Sequence, residues 1–256
     1  MKLEFNIEPQ LQVLEQAVSL LQKTLGAALK KIQDPEQKDV RVAFIYRHAR
    51  NISDLSKDIV TLGKFGQLGS VYLLARPALE SLFKLAAAIN EEDFAIEKLV
   101  AEVQEERNKL EKWSANESKW DEVLKQVIDE LQAFESDLRQ KYEVNRELRW
   151  KKPWEVAKAG NLQVEYVRDY FIGSKHIHAM VSALVDREGG LYVLEALHRI
   201  TMTTSHAAAL TNRFFCVSPS IFDDVLKMQA RSIELYSGIQ KQIEEQFFSS
   251  VNPPKI

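Results

Sequence analysis

A chain of 256 residues, 45% hydrophobic and 28% charged, is long enough to bury a sizeable core. Its formal net charge of -3 gives no sign of an obligatory nucleic-acid or anionic-membrane partner, although a local basic patch stays open. The one cysteine, Cys216, excludes an intramolecular disulfide partner and a cysteine-based zinc site, and suits a reducing compartment.

With nine glycines and seven prolines the chain has few places to turn, which favours long helices. No apolar run is long enough to span a membrane, and "MKLEFNIEPQ" has no signal-peptide core, so the expected location is cytoplasmic. The first element, residues 8–33, places Leu11, Leu14, Val18, Leu21, Leu25, Ala28 and Ile32 at alternating steps of three and four. That seam can pack on its own chain or on a second copy, so a homodimer through helical seams is one expectation.

A second helix is predicted from Val40 to Leu62, broken by Gly63, Gly66 and Gly69. Residues Leu68 to Asn90 are apolar almost all round, the mark of a helix enclosed by others, with Pro77 kinking it or opening its first turn. A charged helix from Asp93 to Trp113 and an amphipathic one with Trp120, Leu124, Val127, Leu131, Phe134 and Leu138 on its seam should form a hairpin. The charge run "EVQEERNKLEK" reads as a solvated face.

"RWKKPWEVAKAGN" at 149–161 reads as a short helix, started by Pro153 and stopped by Gly160. Trp150 and Trp154 flank its charged entry and are candidates to line a pocket. A helix carrying "YFIGSKHIHAMVSAL" follows and ends before Gly189 and Gly190. Another runs from Leu191 to Cys216, and a last one covers 219–247 before a polar tail at 248–256. The expectation is an all-α, bundle-like single domain over 1–256 with seven or eight helices, its central part at 40–216.

Tyr170, Ser174 and His178 recur at i, i+4, i+8 within an apolar face, whereas His176 falls on the charged side. Arg76 and Glu80 form an i, i+4 pair in the most apolar helix. Buried charge requires partners. The two helices are therefore expected side by side, with Arg76, Glu80, Tyr170, Ser174 and His178 in one buried cluster.

"RPALE" from Arg76, "RWKKPWEVAKAG" from Arg149 and "YFIGSKHIH" from Tyr170, in that order, resemble the bacterial family catalogued as domain of unknown function 5677, over roughly residues 40 to 205. The resemblance implies an all-helical protein and carries no activity. Pro77 and His176 depart from its pattern.

Two function classes follow. One is an RNA- or nucleotide-acting enzyme of a bacterial stress or phage-defence system, with Arg76 on phosphate, His178 as acid or base and Glu80 orienting it. Helical nucleotide-binding nucleases suggest an alternative catalytic pair, an Arg followed shortly by His, found here at Arg41 to His48 and at Arg199 to His206. The other class is a non-catalytic module that binds a partner protein or small ligand, its cluster purely structural. No metal or cofactor is expected: "EALH" at Glu195 to His198 occurs once where a bundle di-iron site needs two such motifs. Glycine-rich phosphate loops and nucleophile elbows are absent from the sequence.

Overall fold

A computed structural model describes residues 6–32, 39–115, 121–171 and 189–251, and these are helical with no strand among them. In chain order the helices are α1 (Glu8–Ile32), α2 (Val40–Lys64), α3 (Leu68–Asn90), α4 (Phe94–Ser114), α5 (Asp121–Lys141) and α6 (Pro153–Ala159). Then come α7, a turn at Gln163–Glu165 that widens into π-helix at Tyr166–Phe171, α8 (Gly189–Phe215) and α9 (Ser220–Val251). No helix among the described residues is long and apolar enough to cross a membrane.

The N-terminal seam is used inside the chain. Leu11, Leu14, Leu21 and Ala28 are fully buried, because α1 packs against α2, α8 and α9. These seam positions therefore need no second copy to cover them. Helix α3 lies against α2 and α8, so its all-round apolar composition matches its enclosure.

Several boundaries differ from the sequence expectation for identifiable reasons. Gly63 belongs to α2 and is buried, since a Cβ there would stand 2.7 Å from a methyl of Leu11. The break comes at Gly66, whose φ of 71° favours glycine. Pro77 sits inside α3, not in its first turn. The carbonyl its ring leaves unpaired belongs to exposed Leu73, where solvent can serve it. Gly189 and Gly190, read as a stop, open α8, and α9 runs on past 247 to Val251.

Helices α4 and α5 pack as an antiparallel hairpin, but their contact is rotated from the expected seam. Leu138 and Glu135 are buried there, whereas Val127 and Phe134 are exposed. Glu135 takes the interior place because Arg107 and Arg139 both bind its carboxylate, at 3.2 and 2.8 Å. Trp120 lies outside the described residues.

Helix α6 starts as the sequence suggests. Pro153 occupies its first position, and the Glu155 carboxylate accepts the Lys152 N–H at 2.9 Å. That bond, then the ion pair with Arg149, holds the Glu155 pKa below its usual value. Gly160 ends the helix at φ -77°, and the left-handed residue is Asn161. Glycine is needed at 160 for closeness: a Cβ would lie 2.9 Å from that of Ala86 and 3.2 Å from the Phe83 carbonyl.

Candidate functional site

The helical repeat puts Arg76 and Glu80 on one face of α3, and α7 crosses that face with Tyr170. Arg76 Nε donates to Glu80 Oε1 at 3.2 Å and Nη2 donates to the Tyr170 hydroxyl at 2.8 Å. The hydroxyl in turn donates to the same Glu80 oxygen at 2.8 Å. Three bonds close a ring. The Arg76 guanidinium also stands 5.0 Å from the Tyr170 ring centroid, a cation–π distance. Tyr166 stacks on Tyr170 at 5.1 Å, and Phe83 meets it edge-on at 6.0 Å.

Burial, then the bond to Glu80, pushes the Tyr170 pKa up to about 12, so its proton stays in place. Burial works against the Arg76 charge, but the Tyr170 and Glu80 bonds outweigh it and raise its pKa. Arg76 and Glu80 keep 38% of their side-chain surface exposed. Arg76 and Glu80 are therefore half-exposed where a dry cluster was expected. Ser174 and His178 lie outside the described residues, as does His176.

The other side of α7 carries a second constellation. Asp169, 7% exposed, accepts two bonds from Arg168 at 2.7 Å each, which fixes a guanidinium that is itself 56% exposed. The two-pronged bond to Asp169 raises the Arg168 pKa. Behind it, Arg199 donates to the Asp169 carbonyl at 2.9 Å and pairs with Glu195. Glu165, Arg168, Asp169 and His206 line a groove of about 390 Å³. Its apolar walls include Leu79 and Leu82 from α3 and Phe222 and Leu226 from α9. Burial lowers the His206 pKa, opposed in part by Glu165.

Of the expected alternative pair, His206 faces the groove, whereas Arg199 is held by Asp169 and Glu195. The guanidinium that lines the groove with His206 belongs to Arg168, which stays exposed. Arg41 bonds the Ala88 and Ile89 carbonyls at 2.8 and 2.9 Å, and so closes the end of α3. His48 packs edge-on to Phe44, its buried Nδ1 without a hydrogen-bond partner. Burial, then the charges of Lys84, Arg47 and Lys98, lowers its pKa to about 3. Neither residue of that pair is arranged for proton transfer to a ligand.

The single Glu-x-x-His is also committed elsewhere. Glu195 pairs with Arg199. His198 Nδ1 lies 2.8 Å from Ser232 Oγ, which already accepts from Gln10 at 2.6 Å. The hydroxyl has a second lone pair and one proton, so it can serve either tautomer of the imidazole. Burial lowers the His198 pKa to about 4.

A cavity of about 650 Å³ lies where α4 meets the entry of α6, and Lys98 is among the residues that line it. Lys98 is 2% exposed, with its ammonium 3.3 Å from the centre of the Trp150 ring. Arg149 and Lys151 line the cavity on either side of that tryptophan. Trp154 instead carries Lys158 over its ring at 5.8 Å. Sequence reasoning missed Lys98, although the signal was there: Phe94, Lys98 and Ala101 share one apolar helical face.

A family model described as "Family of unknown function (DUF5677)" matches residues 42–190. No curated protein and no solved structure matches the chain. The matched stretch contains Arg76, Glu80, Lys98, Trp150, Arg168 and Tyr170, whereas Arg199 and His206 lie beyond it.

Proposed function

The chain belongs to this family of unknown function, DUF5677, and from its own groups we propose that it acts on RNA or a nucleotide in the groove between α3, α7, α8 and α9. One observation carries the reading: a clamped, half-exposed guanidinium and a neutral imidazole line the same partly apolar groove. The apolar wall suits a base, and Arg168 suits phosphate oxygens.

For RNA, His206 accepts the proton of the attacking 2′-hydroxyl. The 2′-oxygen to phosphorus bond forms, the bond to the 5′-oxygen breaks, and the leaving oxygen takes a proton from water. Arg168 offsets charge growing on the phosphoryl oxygens, and Glu165 favours the imidazolium as it forms. Asp169 and Arg199 are positioning residues, since they hold Arg168 without touching substrate. A bacterial stress or phage-defence setting in the cytoplasm fits such an activity, and the exposed free thiol of Cys216 suits a reducing compartment.

Incubation of the full chain with total RNA and with a panel of nucleoside phosphates tests this. Wild-type protein should cleave or convert at least one of them, and His206→Gln should lose about 10²-fold or more at unchanged melting temperature. Intact substrates, with no nucleotide shifting the melting temperature, would remove the proposal.

A second reading concerns the Arg76 ring alone. Its three bonds are satisfied within itself, which favours a structural role that sets the register of α7 on α3. On that reading Arg76→Gln lowers stability and leaves turnover unchanged.

A further inference from the structure

Independently of the groove, we propose that Lys98 is the nucleophilic amine of a second site, which takes a small aldehyde or ketone into the 650 Å³ cavity and joins it as an imine. Two ammonium groups compete there for one anion. Lys84 from α3 and Lys98 from α4 share a single carboxylate, that of Glu102, at 3.0 and 3.7 Å. Lys84 holds the shorter bond. Lys98 is left with the weaker hold on a counter-charge already engaged, with almost no water around it.

Six carboxylates and four other cations line the cavity with Lys98, and among the described residues only Glu102 pairs with its ammonium. Lys151, on the loop before α6, lies on the same cavity and pairs with Glu91 and Glu97, at 3.6 and 3.8 Å. Arg146 also pairs with Glu97. From α2, Arg47 is a further cation, and His48 is held neutral by burial and by these same charges. Trp150 covers the amine with a ring face, which attracts an ammonium but offers it no proton acceptor.

An amine desolvated beside another cation is the standard route to a reactive lysine. Burial lowers the Lys98 pKa to about 8; Glu102 opposes it, and Lys84 adds to the fall by less than Glu102 offsets. At pH 7.5 such a group holds roughly a hundredfold more free amine than an exposed lysine of pKa near 10.4. The free amine attacks the carbonyl carbon, the carbon–nitrogen bond forms and the carbonyl oxygen takes a proton. The carbon–oxygen bond then breaks, the oxygen leaves as water with the second proton of the nitrogen, and the imine remains, with no oxidant or reductant consumed.

The test is reductive trapping on the full chain. Propanal and pyruvate, in separate arms, are incubated with the protein from pH 6.5 to 10, reduced with cyanoborohydride, and the modified lysines are mapped by peptide mass. Lys98 should be labelled at least tenfold faster than any exposed lysine at pH 7.5, with a half-maximal rate near pH 8. Preference for pyruvate over propanal would assign an acidic substituent to the ligand, and equal rates would assign the carbonyl alone. Glu102→Gln should move the midpoint to lower pH, because it removes the carboxylate that helps Lys98 keep its proton. Labelling spread over exposed lysines with Lys98 unmodified, or a Lys98 profile centred near pH 10, would overturn the proposal. Mapping the wild-type chain decides between these outcomes even where Lys98→Met fails to fold.

Discussion

Arg76 and Lys98 are both cations set in apolar helical faces, yet their surroundings differ in stoichiometry. Arg76 bonds a carboxylate and a phenol that no other cation shares among the described residues, and its charge is reinforced. Lys98 shares one carboxylate with a second ammonium in a place with less water, and its charge is weakened. The two cations differ in how much water reaches them and in how many cations divide the carboxylate beside them. The side chain matters too, since guanidinium does not shed a proton in proteins and an amine does.

Acid is the broadest way to probe that contrast. His48 beside the Lys98 group and His198 beside Asp169 have folded pKa values of about 3 and about 4. Both lie below the unfolded value of about 6.5, so between pH 6.5 and 4 the unfolded chain binds protons that the native one refuses. Stability should fall with pH across that window, by up to about 1.4 kcal/mol per pH unit for each imidazole. Urea midpoints at pH 7, 6 and 5 measure the slope, and His198→Gln should flatten it. A level wild-type profile would contradict the neutral assignments.

Gly160→Ala comes next and bears mainly on the Lys98 side. The added methyl meets Ala86 and backbone atoms of α3, which cannot swing aside, so about 1–3 kcal/mol should be lost. Unchanged thermal unfolding would mean that α6 does not sit so close. On the other side, Tyr170→Phe deletes the bridging hydroxyl and should cost about 1–2 kcal/mol. Equal stability of that variant would end the structural reading of the ring.

The smallest effects compare the two carboxylates directly. Loss of Glu102 should cost about 1.4 kcal/mol or less through Lys98 at pH 7, because an amine with a pKa of about 8 can release its proton instead, and about 0–1 kcal/mol more through Lys84. Loss of Glu80 should cost about 0–1 kcal/mol, since water reaches the half-exposed Arg76. The two variants separate in proton count: Glu102→Gln should release a proton on titration near neutrality, and Glu80→Gln should not.

The meeting of Arg76, Glu80 and Tyr170 was legible from helical spacing and from the need of charge for partners. The same rule applied to "FAIEKLVAEV" would have flagged Lys98, but Trp150 and Lys84, its neighbours in space, stand 52 and 14 residues away along the chain. Arg168 is exposed, as its charge would suggest, and what the sequence does not show is that Asp169 clamps it at the edge of the groove lined by His206.

By itself the sequence determined the all-α class, the order of most helices and the α1 seam, because these follow from periodicities of three and four within single segments. Only the tertiary structure decided which face of α5 is covered, why residue 160 must be glycine, and which cations divide which carboxylates. Those outcomes depend on distances between helices, and a one-dimensional pattern does not contain them.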